Sequence, residues 1–148
     1  MSNLNEGFGF TGALSKATLA EGTAANTIKI TNSGGFDFAI NGIVYTKATT
    51  DSIAMTALAA QAANTTCAYL VQTNSAGTFS IKKGTELGTA DYALSGSTVE
   101  VPKPDADRCP VGIIKVATVS GFTSGTTDLA AAGTVTYFDV CGIPTGRV

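Results

Sequence analysis

The stretch Phe36-Asp37-Phe38-Ala39-Ile40, Asn41-Gly42, Ile43-Val44-Tyr45-Thr46-Lys47 decides the fold. Two alternating runs separated by an Asn-Gly pair are the strongest short-range signal for a β-hairpin. Both central residues of a type I′ turn need φ > 0, which Asn and Gly tolerate. A two-residue turn also sets the register, so Ile40 faces Ile43, Phe38 faces Tyr45 and Phe36 faces Lys47. These pairs share one nearly apolar face, expected to be core. Asp37 with Thr46 and Ala39 with Val44 take the other, more polar face. The hairpin therefore needs further strands to cover its apolar side.

The chain downstream supplies them. Thr66–Thr73, with Cys67, Tyr69, Leu70 and Val71, reads as a strand, Asn74-Ser75-Ala76-Gly77 as a turn, and Thr78–Lys83 as the returning strand, with Phe79 and Ile81 inward. Val111-Gly112-Ile113-Ile114-Lys115-Val116-Ala117-Thr118-Val119, within Pro110–Val119, is apolar at both alternating sets of positions. That pattern belongs to a central strand buried on both faces. Thr134–Val140 is a last strand. Thr98–Val101 alternates, with Val99 and Val101 inward, until Pro102 and Pro104 end it. Upstream, Asn26–Asn32 alternates with Ile28 and Ile30 inward, and Ser52–Thr56 places Ile53 and Met55 on one side. Ala57–Ala63 is rich in Ala, a strong helix former. It is too short to hold a helix without packing and reads as a loop or single turn. Lys83–Ser97 and Gly121–Gly133 read as long loops, and Gly142–Val148 as a patternless tail.

Seven to nine short strands and no long helix predict an all-β fold, an antiparallel β-sandwich or barrel of jelly-roll type. Residues 26–148 form the single β domain. Residues 1–25 read as an extended N-terminal arm, with a short turn possible over Leu14–Ala20. Phe8 and Phe10 sit among glycines there, and with Leu14 they are the expected intersubunit contacts. The core hairpin residues are Phe36, Phe38, Ile40, Asn41, Gly42, Ile43 and Tyr45.

Composition narrows the function. Only 14% of residues are charged, against roughly 25% in ordinary domains, which fits either surface that neighbours cover or a Thr-rich soluble β domain. Thr and Ala occur 23 and 22 times, and the Thr content suits strands. A net charge of −2, with nine scattered basic residues, argues against nucleic-acid binding, which needs clustered Lys and Arg. No stretch approaches the roughly 20 apolar residues of a membrane-crossing helix, and the start of the chain lacks the pattern of a secretory signal. Cys67, Cys109 and Cys141 are too widely spaced for a zinc motif or a disulfide framework. They read as three small buried thiols of a chain made in a reducing cytoplasm.

The chain contains no His. The commonest general base and zinc nitrogen ligand are therefore missing, and a Ser or Cys nucleophile would need a Lys as its base. No strand precedes Gly7-Phe8-Gly9, so it is not read as a dinucleotide-binding turn. Asp105-Ala106-Asp107 lacks the Gly and distal Glu of a calcium loop and reads as a solvated turn beside Arg108. No catalytic residue, metal ligand or cofactor is expected, and an enzyme is the weakest reading.

Four segments carry a resemblance. Ala25-Asn26-Thr27-Ile28-Lys29-Ile30-Thr31-Asn32, residues 38–48, Asp51-Ser52-Ile53-Ala54-Met55-Thr56-Ala57 and residues 109–118 together resemble small structural proteins of tailed bacteriophages. The nearest in kind are those that decorate or cement the capsid. The resemblance spans about residues 25–140. It implies a non-enzymatic virion protein on the outer capsid surface, made in the host bacterial cytoplasm. It also implies the major capsid protein as partner and a homotrimeric state. The N-terminal arm and the two long loops would make the contacts between subunits. The alternative is a receptor- or glycan-binding β-sandwich of a phage fibre.

Overall fold

The computed structural model describes residues 9–141. Along the chain run β1 (Gly12–Ala13), β2 (Leu19–Glu21), β3 (Thr27–Ile30), β4 (Phe36–Ile40), β5 (Ile43–Lys47) and β6 (Thr50–Ala54). There follow β7 (Thr65–Thr73), β8 (Phe79–Lys83), β9 (Leu87–Gly88), the six-residue helix α1 (Thr89–Leu94), β10 (Cys109–Thr118) and β11 (Thr134–Asp139). A single 3-10 turn, Leu129–Ala131, precedes β11.

The strands form three antiparallel sheets. The large one has the order β11-β10-β7-β8, with β9 also paired to β7. The two small ones are β1-β4-β5 and β2-β3-β6. Both small sheets lie on one face of the large sheet, because Phe36, Phe38, Leu19, Ile28 and Ile30 share a core with Cys67, Tyr69, Val71, Ile114 and Val116. The opposite face of the large sheet is covered by Val99, Val101, Leu87 and Tyr92, which pack on Ala68, Leu70 and Ile113. The architecture is an all-β sandwich, and no barrel closes among the described residues.

The hairpin has the expected register, with Phe36 opposite Lys47, Phe38 opposite Tyr45 and Ile40 opposite Ile43. Asn41 and Gly42 both take positive φ, 50° and 80°. Phe36 stacks on Phe38, and Phe38 on Tyr45. One assignment changes. Ile43 was expected in the core but is exposed, because β5 is the edge strand and Ile43 sits directly after the turn, beyond the cover of the large sheet. Ala39 moves the other way. It lies on the side expected to be more polar, yet it is buried where β1 pairs alongside.

β10 is the central strand anticipated, flanked by β7 and β11 and buried along most of its length. A bulge between Pro110 and Gly112 breaks its alternation. Val111 then belongs to the main core, and so does the space beside Gly112. A Cβ at Gly112 would collide with a Leu19 methyl and the Phe138 carbonyl oxygen, so only Gly lets β2 dock at this point.

Several other expectations are revised. Residues 1–8 lie outside the described residues, but from Gly12 onward the expected arm is built into the sheets. β1 pairs with β4, β2 pairs with β3, and Ala13, Ala17 and Leu19 are buried. Leu14–Ala20 holds no helical turn. Ala57–Ala63 is irregular, as expected of a loop, and Gln61 within it bridges to Phe122. Thr98–Val101 keeps Val99 and Val101 buried but, among the described residues, is reduced to a single bridge residue, Glu100. Lys83–Ser97 contains β9 and α1 rather than loop alone. Cys67 and Cys109 are buried, whereas Cys141 is exposed, since it follows the end of β11.

Candidate interaction surface

The described residues offer little for chemistry. No group of three or more His, Cys, Asp or Glu is placed to hold a metal ion. Burial pushes the Cys67 thiol up to about 11 and the Cys109 thiol up to about 12, so both stay protonated and unreactive near neutral pH. Ser80 and Lys83 have the Ser-x-x-Lys spacing of some nucleophile-base pairs. They lie on a strand, where residues three apart point to opposite faces. The Lys83 ammonium is also engaged, donating to Glu86 and to the carbonyls of Ala59 and Ala60. Gly7, Gly9 and Gly12 have the spacing of a dinucleotide fingerprint, but Gly12 opens a strand and not a helix. The acidic turn is tied down by its neighbours. Asp105 accepts from Lys82 and Gln72, which hold its carboxyl below the usual range, and Asp107 accepts from Asn41 Nδ2. No helix among the described residues is long and apolar enough to cross a membrane.

What the surface does offer is apolar side chains left in the open, in two groups. The first is at the hairpin tip. The Gly42 amide donates to the Phe10 carbonyl and the Leu14 amide to Asp37, so the incoming chain runs beside β4 from the turn inward. Phe10, beside the turn, and Leu14, beside Asp37 at the far end of β4, are exposed, and Ile43 and Val44 just past the turn are 59% and 62% accessible. The tip is anchored by the Asn41–Asp107 hydrogen bond to the segment that enters β10. It therefore sits near the end of the large sheet where Cys109 faces Thr73.

The second group is near the other end, where Thr118 faces Thr65. An open cavity of about 290 Å³ is lined by Asn64, Thr65, Thr66, Tyr92, Thr118 and Val119, together with Thr89 and Ala117. None of these carries a charge. Val119 on its rim is 74% accessible, and Leu94 at the end of α1 is 86% accessible. Lys115 lies over the Tyr92 and Phe138 rings, with its ammonium 5.9 and 5.4 Å from their centroids. β7, whose two ends they lie near, has nine residues and at roughly 3.3 Å per residue is about 26 Å long.

Of the residues expected to touch other subunits, Phe10 and Leu14 are exposed, while Phe8 lies outside the described residues. Ile43, Val44, Leu94 and Val119 were missed. The alternation of β5 hinted at Val44, which falls on the outward face, but nothing local marks an edge strand. Of the two loops expected at the contact surface, Lys83–Ser97 contributes α1 and the cavity wall. Gly121–Gly133 instead commits its large side chains inward. Phe122 packs edge-on against Tyr69 and Leu129 is buried, while Ser124 Oγ donates to the Thr56 carbonyl.

The chain matches no protein-family model, no curated protein and no solved structure.

Proposed function

We propose that this protein is a non-enzymatic structural component of a tailed-phage virion. In this reading it decorates the capsid from outside and stabilises it as a homotrimer that bridges copies of the major capsid protein. The observation that supports it best is the two groups of exposed apolar side chains, Ile43 with Val44 and Leu94 with Val119, near opposite ends of the β-sandwich. Monomeric proteins keep such patches small, whereas a subunit that lives in contact with neighbours has reason to expose two. Stable contacts need roughly 1,200–2,000 Å² of buried surface in total, and a symmetric oligomer multiplies modest contacts into high avidity. The four resembling segments point the same way.

The test uses purified full-length protein and capsids of the same phage that lack it. Saturating occupancy by electron microscopy, with genome release moved to higher temperature, is the expected result. Absence of binding, or binding without added thermal resistance, overturns the reading. Location on tail fibres, or glycan binding by the free protein, would replace it with the fibre alternative.

A further inference from the structure

The hairpin turn carries a reactive pair. Of the seven Asn residues in the chain, only Asn41 is followed by Gly. An Asn-Gly pair is the one most prone to lose the side-chain amide, because Gly has no Cβ to shield its backbone nitrogen from the Asn side chain. Both residues are exposed, so water reaches them. Hydrogen bonds hold the pair from two sides. The Gly42 amide donates to the Phe10 carbonyl at 2.9 Å, and the Asn41 backbone amide donates to Thr11 Oγ1 at 3.0 Å. On the other side Asn41 Nδ2 donates to Asp107 Oδ1 at 2.8 Å. A carboxylate only accepts, so the amide nitrogen is the atom that faces it.

We propose that Asn41 is a deamidation site that the fold holds shut, and that its conversion permanently unlatches the hairpin from the segment entering β10. In the reaction the Gly42 nitrogen gives up its proton and attacks Asn41 Cγ. The new C–N bond closes a cyclic imide, and the Cγ–Nδ2 bond breaks to release ammonia. Water then opens the imide to aspartate or isoaspartate. In the folded chain the proton on the nucleophile is engaged by Phe10 and the leaving nitrogen by Asp107, so both contacts have to open first. Phe10 and Asp107 are themselves exposed, so opening needs no disruption of the core. The product lacks the donor that made the latch. An oxygen replaces Nδ2, and two acceptor-only carboxylates of like charge would meet at hydrogen-bond distance. Reclosure is therefore opposed. The only co-reactant is water, so the inference stands independently of the capsid reading.

Full-length protein held at mildly alkaline pH, followed by peptide mass spectrometry and enzymatic methylation of isoaspartate, reads the conversion. Folded wild type should convert at Asn41 more slowly than the same chain in urea by at least about fivefold, the factor that one ordinary hydrogen bond contributes to an opening equilibrium. Asp107 has a φ of 56°, a conformation that Gly and Asn accept. Asp107→Gly removes the acceptor and should convert about fivefold faster than wild type. Asp107→Asn keeps an acceptor oxygen and should stay slow. The consequence is read separately in Asn41→Asp, where the Gly42 amide should exchange with deuterium several-fold faster than in wild type. Adding Asp107→Asn to that chain re-forms the bond with donor and acceptor exchanged, and should restore protection. Should Asp107→Gly unfold by circular dichroism, this exchange pair decides by itself. Wild type that converts as fast folded as unfolded, a folded Asp107→Gly chain no faster than wild type, or exchange in Asn41→Asp that Asp107→Asn leaves unchanged overturns the proposal.

Discussion

β5 and β10 are built from the same kinds of residue and meet opposite fates. Ile43-Val44-Tyr45-Thr46-Lys47 and Ile113-Ile114-Lys115-Val116 are both β-branched runs with a single Lys. In β10, Ile113 and Ile114 are buried on the two faces of a sheet that is itself sandwiched, and strands flank it on both sides. In β5 only Tyr45 is partly covered, one edge has no partner strand among the described residues, and Ile43 on the Tyr45 side and Val44 on the other are both exposed. Composition selects a strand in both places. Position in the sheet decides whether its apolar groups serve the core or are left for a neighbour.

The sharpest way to break this comparison is to empty the covered side of the hairpin. Phe38 is fully buried between Phe36 and Tyr45, so Phe38→Ala should cost about 3–5 kcal/mol through the cavity it leaves. Urea unfolding of the isolated subunit measures it, and a loss below about 1 kcal/mol would mean the stack is not core.

A smaller loss is expected where the large sheet holds its loops. Gln61 Nε2 donates to the carbonyls of Thr65 and Val116, and its Oε1 accepts from the Tyr69 hydroxyl. Gln61→Leu keeps the bulk but strands the hydroxyl and two carbonyls, so it should cost about 1–3 kcal/mol. Thermal unfolding of the pair Gln61→Leu and Gln61→Glu reads it, and a stability equal to wild type would show that the network carries no weight.

On the open side the order reverses. Ile43→Thr and Val44→Thr should each move monomer stability by no more than about 0.5 kcal/mol, the usual range for exposed positions. They should still weaken self-association measurably by sedimentation. A stability loss as large as that of Phe38→Ala would abolish the contrast between the two strands.

The smallest effect is electrostatic. Asp51 in β6 accepts from the Thr23 hydroxyl and from the Thr23 and Ser52 amides, which pull its carboxyl down from 3.8 to about 2. A depressed carboxylate stabilises the fold above its unfolded value and loses that contribution as pH falls through its folded one. Asp51→Asn should therefore flatten the acid limb of stability between pH 3.8 and about 2 and lower neutral stability by the same amount, a small one because the site is exposed and screened by solvent. An unchanged acid limb would remove Asp51 from the account.

Legibility followed locality. The Asn41-Gly42 turn carries its own register, and β10 announces its double burial by being apolar at every second residue on both phases. β1 and β2 carried no such mark. Each is two or three residues long and exists because β4 and β3 offer an edge to pair with. Val99 alternates correctly with Val101, yet it packs against the second face of the large sheet without forming a strand. The burial pattern there was visible, but not that only Glu100 between them makes a bridge.

An all-β chain, the hairpin with its register, the central strand and the lack of His chemistry can all be read from the residues alone. Each of these depends on neighbours in the chain or on residues that are simply not there. Only the tertiary structure decided that β5 is an edge, that the segment from Gly12 joins the sheets, and that Ile43, Val44, Leu94 and Val119 remain uncovered at two opposite ends. Exposure is a property of what packs on a residue. Here the packing comes from strands far apart in sequence, such as the β7–β10 pair, whose alignment no local pattern encodes.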